Sequence, residues 1–301
     1  MKNRTAYILL LLTTLFWGGN AVAGKLAVGH VSPMLLTTAR WGLALIILCI
    51  IGWPRLMADW STVRQRTTYL LVLGAIGFTG YNAALYSALP HTSAVNASIE
   101  NAGIPMAIFL ANFLAFRLRP TSAQIVGFVV SLFGVALTAS HGDLSRLLAL
   151  DLNLGDVLVL VAVVAYASYA VALRVKPQIH WQSLMIMLAL GAFLSSIPLL
   201  AAEAYGGGII PPDARGWAVI LYTTIFASIL SQIFFVRAVE LIGSNRAGLF
   251  VNLMPVFGTL LSVIVLREEF HLYHAIALAL VLGGIWLAET SSRKAAAAGH
   301  G

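Results

Sequence analysis

Charged side chains are scarce in this chain of 301 residues. Asp, Glu, Lys and Arg together make up 10% of it, whereas they make up about 25% of an average soluble domain. Hydrophobic residues account for 60%. This shortage of charge leaves too little polar surface for an ordinary soluble domain, so the composition favours a membrane protein.

Cysteine is almost absent, which removes a second group of functions. Cys49 is the only one, so the chain has no internal disulfide framework and no thiolate cluster for a metal. His271 and His274 stand one helical turn apart, but no nearby carboxylate or third histidine in the sequence completes a convincing metal site. We therefore expect neither a metal nor another cofactor.

Sequence motifs of ATP-driven pumps and hydrolases are also missing. The chain has no Walker loop, no G-x-S-x-G elbow and no soluble domain that would hydrolyse ATP. Its net charge of +7 comes from basic residues that are scattered rather than grouped with aromatic residues, which argues against nucleic acid as a partner. An intramembrane enzyme and a structural membrane protein stay open as alternatives. No oligomer-specific signal is present, so the sequence is compatible with a monomer.

Long apolar runs are what the sequence has in quantity. A helix needs about 20 mainly apolar residues to cross the hydrocarbon core of a bilayer. Ten runs approach this length, which predicts an all-α polytopic membrane protein with ten transmembrane helices. They lie near residues 6–28, 33–53, 69–89, 93–116, 122–140, 155–174, 182–202, 216–239, 244–266 and 271–289.

The basic residues between these runs predict the orientation of the chain. With ten spans both termini lie on one side, and Lys and Arg concentrate on the cytoplasmic side. If the N-terminus is cytoplasmic, thirteen basic residues lie inside and four outside. We therefore expect a bacterial inner-membrane protein with both termini in the cytoplasm. A cleaved signal peptide ending at Ala21-Val22-Ala23 is a weaker alternative, because its removal would leave nine spans.

The ten runs divide into two halves of five. A polar linker at 141–154 separates a first repeat, 1–140, from a second, 155–290, and a tail follows at 291–301. At an offset of 150 residues, Pro105 aligns with Pro255 and Gly134 with Gly284. Because five is odd, the second repeat must enter the membrane from the opposite side. Such inverted repeats are typical of secondary transporters, which bind substrate near the midplane at the repeat interface.

The order of motifs resembles the EamA-type drug/metabolite transporters. Trp17-Gly18 lies in the first span, and LREEFHLYHAIALALVLGGIWL at 266–287 is similar to the closing pattern of that family, with Glu268 and Gly284 in place. The first repeat departs from the pattern by having Leu118 where the family has Glu. The resemblance implies a ten-helix bundle that exports small metabolites. Within the superfamily the chain is most similar to bacterial exporters of the kind named for aromatic amino-acid export.

The fourth span carries one charged residue in the stretch SIENAGIP at 98–105. Asn96 and Glu100 share a helical face, and Asn101 lies next to it. Ionisable groups inside a bilayer are costly and are functional candidates by default. Glu100 could therefore hold the amino group of a zwitterionic substrate or bind a proton that is released during transport. The structural alternative is a carboxyl group that is neutral, or paired with Arg40 or Lys25.

Further polar and aromatic residues inside the spans predict a cavity for a small amphipathic substrate. Lys25 and Arg40 could attract a carboxylate, with snorkelling to the headgroups as the alternative. Pro105 and Pro255 could act as hinges, with simple packing kinks as the alternative. We expect a secondary transporter that exports aromatic or other neutral amino acids by alternating access; a broad exporter of drugs or other metabolites is the alternative. The remaining cavity candidates are Trp17, Asn20, Tyr81, Asn82, Tyr166, Tyr169, Gln232 and Asn252.

Overall fold

The computed structural model describes residues 2–117, 122–143, 153–242 and 250–298. Leu118, most of the linker and the side chains from 288 onward lie outside this described part. Predictions that fall on them stay predictions.

All secondary structure in the described residues is helical. Seven helices are long and apolar enough to cross a membrane, and shorter apolar segments at Ile125–Thr138, Met254–Leu266 and Leu272–Leu287 bring the number to the ten that the sequence predicts. The prediction of an all-α polytopic membrane fold is therefore confirmed. The helices are α1 (Lys2–Ala27), α2 (Pro33–Gln65), α3 (Thr67–Ala88), α4 (Ala94–Phe116), α5 (Ser122–Ala139), α6 (Leu154–Val175), α7 (Trp181–Tyr205), α8 (Ala214–Ile242), α9 (Met254–Leu266) and α10 (Leu272–Ala298).

Contacts at the helix ends show that the chain crosses the bundle back and forth. The beginning of α1 meets the beginning of the ninth span, where the rings of Tyr7 and Phe250 stack at 5.5 Å. The end of α1 meets the end of α3, where Lys25 donates to the carbonyl of Leu89. We call the first side, which holds the start of α1, the termini end. The second side, where α5 joins the linker, is the linker end.

The two repeats share backbone irregularities at a constant offset of 150 residues. A π-helical segment interrupts α3 at Ala75–Gly80 and α8 at Ile225–Leu230. The fourth and ninth spans both terminate in a left-handed arginine, Arg117 with φ 54° and Arg267 with φ 56°. Non-glycine residues adopt positive φ uncommonly, so their matched placement reflects a repeated backbone rather than chance.

Packing between α5 and α10 follows the same symmetry. A Cβ added at Gly134 would lie 2.8 Å from the Ala277 carbonyl oxygen, and one at Gly284 would lie 2.4 Å from the Gly127 carbonyl oxygen. Each contact is the counterpart of the other at the same offset. Small residues allow such close backbone approach in membrane helix pairs. The inverted five-helix repeats predicted from the sequence are thus visible in the packing.

Helices α2 and α7 cap one another at opposite ends of the bundle. Glu203 of α7 accepts hydrogen bonds from the Ser32 hydroxyl at 2.7 Å and from the first N–H groups of α2. Asp59 of α2 accepts from the Ser183 hydroxyl at 2.7 Å and from the His180 N–H at the start of α7. Carboxylates are favourable at helix N-termini because unpaired N–H groups and the helix dipole meet there. The second helices of the two repeats are therefore fastened to one another at both ends.

Candidate substrate-binding cavity

A cavity of about 550 Å³ lies between the two repeats. Its wall combines residues from the middle of α1, α3 and α8 with the interrupted regions of the fourth and ninth spans. Twelve of the fifteen positions singled out from the sequence line it. They are Trp17, Asn20, Arg40, Tyr81, Asn82, Asn101, Pro105, Tyr166, Tyr169, Gln232, Asn252 and Pro255. Their role in binding stays a prediction.

The fourth span is broken where it meets the cavity. Its first half ends at Asn101, Ala102 and Gly103 form a turn, and the second half begins at Ile104. Pro105 has no N–H to donate to the Asn101 carbonyl. A freed carbonyl inside a bilayer must face protein or a water-filled space, and Asn101 itself lines the cavity.

The ninth span repeats this arrangement from the other side. Asn252 and Leu253 form a turn, and α9 then begins with Pro255 in its first turn. Pro255 cannot donate to the Val251 carbonyl, and Val251 also lines the cavity. The two predicted hinge prolines therefore lie directly at two symmetric breaks. Whether the breaks move stays a prediction.

Arg40 is the basic group of the cavity wall. Its side chain is 4% exposed, so snorkelling to the headgroups does not describe it. Its Nε donates to Ser228, and its Nη1 donates to Asn20 and Asn82, at 2.8, 2.8 and 2.9 Å. Tyr86 also receives a bond from Nη1.

The second terminal nitrogen of Arg40, Nη2, forms no hydrogen bond with the described residues. Within those residues, no acidic side chain forms an ion pair with Arg40 either. Moreover, neither Asp nor Glu lines the described cavity. The site therefore holds a positive charge that neutral dipoles orient but no anion balances.

A row of aromatic rings covers one side of the cavity. Trp41 stacks on Phe78 at 4.4 Å, and Phe78 meets Tyr169 at 5.5 Å. Tyr166 contacts Tyr169 and Tyr81, also at 5.5 Å. Across the cavity Trp17 packs on Phe235 at 5.6 Å. Such rings offer flat apolar faces to a ligand.

Amide side chains supply the neutral polar groups. Asn82 is held on both sides, because its Oδ1 accepts from Arg40 and its Nδ2 donates to the Phe78 carbonyl at 2.7 Å. Gln232 occupies the corresponding position in the second repeat and forms no hydrogen bond with the described residues. The cavity thus has both a fixed amide and an available one.

Comparison with known proteins connects this geometry to a family. Residues 4–140 and 153–290 each match the EamA-like transporter family. The chain belongs to that family. It is 27% identical to the uncharacterized transporter YyaM of Bacillus subtilis (strain 168), over 95% of this chain and 93% of that protein. It is 24% identical to the uncharacterized transporter YetK of the same organism, over 95% and 87%.

A solved structure supports the same fold. A crystal structure with 20% sequence identity superposes with a TM-score of 0.63 and covers 97% of this chain and 98% of its own. At this identity the likeness shows the fold alone. Together with the family match, it establishes a membrane transporter built from two EamA repeats.

Glu100 does not lie where the sequence analysis expected it. Its side chain is fully buried and is not part of the cavity wall of this EamA-family protein. Neither carboxyl oxygen has a hydrogen-bond partner among the described residues. No ion pair joins Glu100 to Arg40 or Lys25 in the described residues, and both basic groups make other contacts. Instead, the next residue, Asn101, faces the cavity because it points to a different side of the helix.

Asn96 is likewise displaced from the cavity towards the linker end. Its Oδ1 lies 2.9 Å from Nε2 of His274, and its Nδ2 lies 3.4 Å from Nε2 of His141. His141 Nδ1 in turn lies 3.7 Å from Oδ2 of Asp156. The hydroxyl of Thr92 donates to the other oxygen of Asp156. We call Asn96, Glu100, His141, Asp156 and His274 the linker-end cluster.

Lys25 is the third predicted position outside the cavity. Its ammonium donates to the carbonyl oxygens of Leu89 and Thr92 at 2.7 and 2.6 Å, between α3 and α4. Nearby, Glu268 accepts from the N–H groups of Ala94 and Val95, both at 2.9 Å. These bonds hold the ends of the helices together on the linker side.

The sequence analysis missed two groups of residues. The first group is Trp41, Phe78 and Phe235, which line the cavity. In the sequence they cannot be distinguished from the other apolar residues of their spans. The second group is His141 and Asp156, which are distant from His274 in the sequence: folding brings His141 beside His274 and Asp156 beside His141. No group of three or more metal-binding side chains occurs in the described residues. The signal in the sequence for His141 and Asp156 was their position at the two borders of the linker.

Proposed function

We propose that this EamA-family transporter exports aromatic or other neutral amino acids from the cytoplasm across the bacterial inner membrane. It is a secondary transporter, and the two repeats give alternating access to one central site. The observation that carries the proposal is the cavity, in which a single unbalanced guanidinium lies beside a row of aromatic rings. An amino acid with an apolar side chain has a carboxylate that can bind the guanidinium and an apolar group that can pack on the rings.

The size and charge of the cavity suit such a substrate. Its volume of about 550 Å³ falls within the usual range of small-molecule sites, about 300–1,000 Å³. One basic group matches one carboxylate. A polyanion such as a nucleotide sugar would need several cations, and Arg40 is the one Lys or Arg side chain in the described cavity wall.

The substrate carboxylate is placed at Nη2 of Arg40. Arginine binds carboxylates well because its planar donors match their geometry, and Asn20, Asn82 and Ser228 hold this guanidinium in place. The ammonium group of the substrate then meets acceptors at the two helix breaks, where Pro105 and Pro255 leave carbonyls without their helical donor. Broken helices that present backbone carbonyls to cations are a recurring device of transporters.

The conformation of the bundle supports an inward-facing state. At the linker end, Lys25 and Glu268 tie neighbouring helices together. The cavity instead reaches Leu173 at the end of α6 and Met185 at the start of α7, both near the termini end. With the termini in the cytoplasm, as the distribution of Lys and Arg favours, the site is positioned to receive substrate from inside the cell.

A broad exporter of drugs or other metabolites is the second candidate. The aromatic row and the predominantly apolar lining of the cavity favour it, because flat rings accept many apolar molecules. The two functions differ in their dependence on the carboxylate. An amino-acid exporter requires one, whereas a drug exporter accepts neutral or cationic molecules.

Exchange of labelled phenylalanine in liposomes holding the purified protein tests the proposal. We expect saturable exchange in which unlabelled phenylalanine and tryptophan compete. Phenethylamine, which lacks the carboxylate, should not compete. Equal competition by phenethylamine would support the broad exporter, and absence of saturable exchange for every amino acid tried would overturn the proposal.

A further inference from the structure

The linker-end cluster joins two buried carboxyl groups to the partly exposed His141 and the buried His274. Glu100 of α4 and Asp156 of α6 are both fully buried. Asn96, one helical turn before Glu100, contacts His141, whose Nδ1 lies 3.7 Å from Oδ2 of Asp156. Both oxygens of Glu100 and Oδ2 of Asp156 have no hydrogen-bond partner in the described part of the chain. Carboxyl groups left unpartnered inside a protein are costly unless they are neutral, so they require an explanation.

The charged and titratable surroundings of these two groups come from several helices. Helix α10 contributes Tyr273 and His274, His271 directly precedes that helix, and His141 follows the end of α5. Lys25 of α1 points to the α3–α4 connection and interacts with Glu268 rather than with Glu100. Glu269 lies 3.4 Å from His271 at the surface. No Lys or Arg in the described chain forms an ion pair with either buried carboxyl group.

We propose that Glu100 and Asp156 share one transferable proton, which couples transport to the proton gradient, an inference that rests on the proposed function. The proton enters from the linker end through His141 and leaves beside Asn101 into the cavity. One proton moves from the linker end to the termini end for each substrate molecule that moves the other way. The protein is then a proton/substrate antiporter.

Access from the linker end is provided by His141. Its side chain is 34% exposed, and its Nδ1 lies 3.7 Å from the fully buried Oδ2 of Asp156. An imidazole ring can relay a proton because it has two nitrogen atoms. Asn96 bonds to both His141 and His274 and so holds the imidazoles over the buried carboxyl pair. A proton taken from water by His141 can pass to Asp156 after a small movement.

Release towards the cavity follows from the position of Glu100. It lies one residue before the cavity-lining Asn101 and two before the turn of the fourth span. A change at that turn rotates the first half of the fourth span about its own axis and brings Glu100 towards the cavity. The proton then passes from the carboxyl group to cavity water.

Loss of the proton also explains how the linker end opens. Two like charges sharing one buried site disfavour one another, so a single proton stabilises the closed arrangement of α4, α6 and α10. After its loss the two carboxylates need water, which is available only if the helix ends separate. The closed linker end of the structure therefore corresponds to the proton-bound state, and opening exposes the pair to the outer solution.

Infrared difference spectra tell whether the site exists, with or without a known substrate. Spectra of the purified protein between acidic and alkaline pH should show the carbonyl band of a protonated carboxyl group. We expect this band to be lost in Glu100→Gln, to shift in Asp156→Asn and to be unchanged in Glu240→Gln, which alters an exposed carboxylate paired with Arg237. A spectrum of Glu100→Gln that equals that of the wild type would overturn the proposal. Gln has the shape of a neutral Glu, so Glu100→Gln should fold. If it does not, Asp156→Asn provides a second test.

Liposome flux distinguishes failure of the coupling from failure of the function. An imposed pH gradient should drive accumulation of phenylalanine against its concentration gradient, and this accumulation should be lost in Glu100→Gln and slowed in His141→Gln. Wild-type exchange that is insensitive to the gradient would overturn the coupling and leave the proposed function standing. Absence of any exchange would overturn the function, and the infrared band would still decide whether the shared proton exists.

Discussion

The two broken helices of the bundle have the same backbone and different chemistry. The fourth and ninth spans each have a turn at the same repeat position, a proline two residues after it and a left-handed arginine at the end. Yet Glu100 corresponds to Phe250, and Asn101 corresponds to Val251. The repeated features are those that bend and pack helices. The features confined to one repeat are those that can bind charge or a proton.

This difference separates mechanical from chemical roles. A transporter that rocks between two states needs equivalent bends on both sides of the membrane, which symmetry supplies. A small asymmetric substrate presents its carboxylate to one binding group only. A group that is present in one repeat and not in the other cannot arise from the symmetry of the repeats. Substitutions at matched positions should therefore have similar effects where the role is mechanical and unequal effects where it is chemical.

The largest effect is expected at Arg40, the charged group of the first repeat. Arg40→Gln removes the cation from the cavity and leaves the amides of Asn20 and Asn82 without their donor. Loss of one partner from a buried charge pair costs about 2–5 kcal/mol of binding free energy. We expect phenylalanine binding, measured by calorimetry on the detergent-solubilised protein, to be lost.

Arg40→Lys is the matched control, since it keeps the charge without the planar donors. It should bind phenylalanine more weakly than the wild type and more strongly than Arg40→Gln. Equal binding by all three proteins would show that the guanidinium has no part in recognition.

The second effect concerns stability and should appear in both repeats. Gly284→Ala would bring a Cβ within 2.3 Å of the Ser131 hydroxyl, and Gly134→Ala within 2.8 Å of the Ala277 carbonyl. Overpacking typically costs about 1–3 kcal/mol, so both should lower the thermal unfolding midpoint in detergent, Gly284→Ala more. Gly283→Ala is the control, since nothing lies within 4 Å of its Cβ. Loss of stability in only one of the paired variants would show that the packing of the two repeats is not equivalent.

Much of the fold could be predicted from the sequence because the bilayer limits what a chain can do. Run lengths near 20 residues predict the spans, and an odd number of spans per repeat predicts the inversion. The offset of 150 residues also predicts the paired prolines. These are properties of the chain taken one helix at a time.

The candidate site could be predicted only in part, because it depends on how helices rotate against one another. Asn96 and Glu100 share a helical face in the sequence, yet that face meets α6 and α10 rather than the cavity. The other members of the cluster around Glu100 include His141 and Asp156, which lie at the two borders of the linker. Trp41 and Phe78 look like membrane-facing residues until α2 and α3 are packed. Tertiary contacts of this kind leave no periodic signal.

A third prediction tests the fastening of the linker end, where Glu268 of the second repeat caps the fourth span. Glu268→Gln removes the charge from two hydrogen bonds at a helix N-terminus, which is worth about 1 kcal/mol. The population should shift towards a state open at the linker end. Glu269→Gln, which alters the exposed neighbour, should not shift it.

Cysteine labelling measures this shift. In a chain with Cys49→Ser, the substitution Ala97→Cys places a thiol on the fully buried side of α4. A membrane-impermeant maleimide should react with it faster in the Glu268→Gln background than in the Glu269→Gln background. Equal labelling rates would show that the cap does not control opening.

The smallest effects are expected at the two prolines, where the comparison between the repeats is sharpest. Pro105→Ala and Pro255→Ala each restore an N–H to the helical ladder but also make the unfolded chain more flexible, a change worth about 0.4–1 kcal/mol. These opposing terms should leave the unfolding midpoint in detergent nearly unchanged. The rate of phenylalanine exchange should fall in both variants, because a continuous helix bends less readily. Equal slowing would mean that both breaks move in each cycle. Slowing in Pro105→Ala alone would mean that only the fourth span, which carries Glu100, changes shape, and that the bend and the carboxyl group act as one unit.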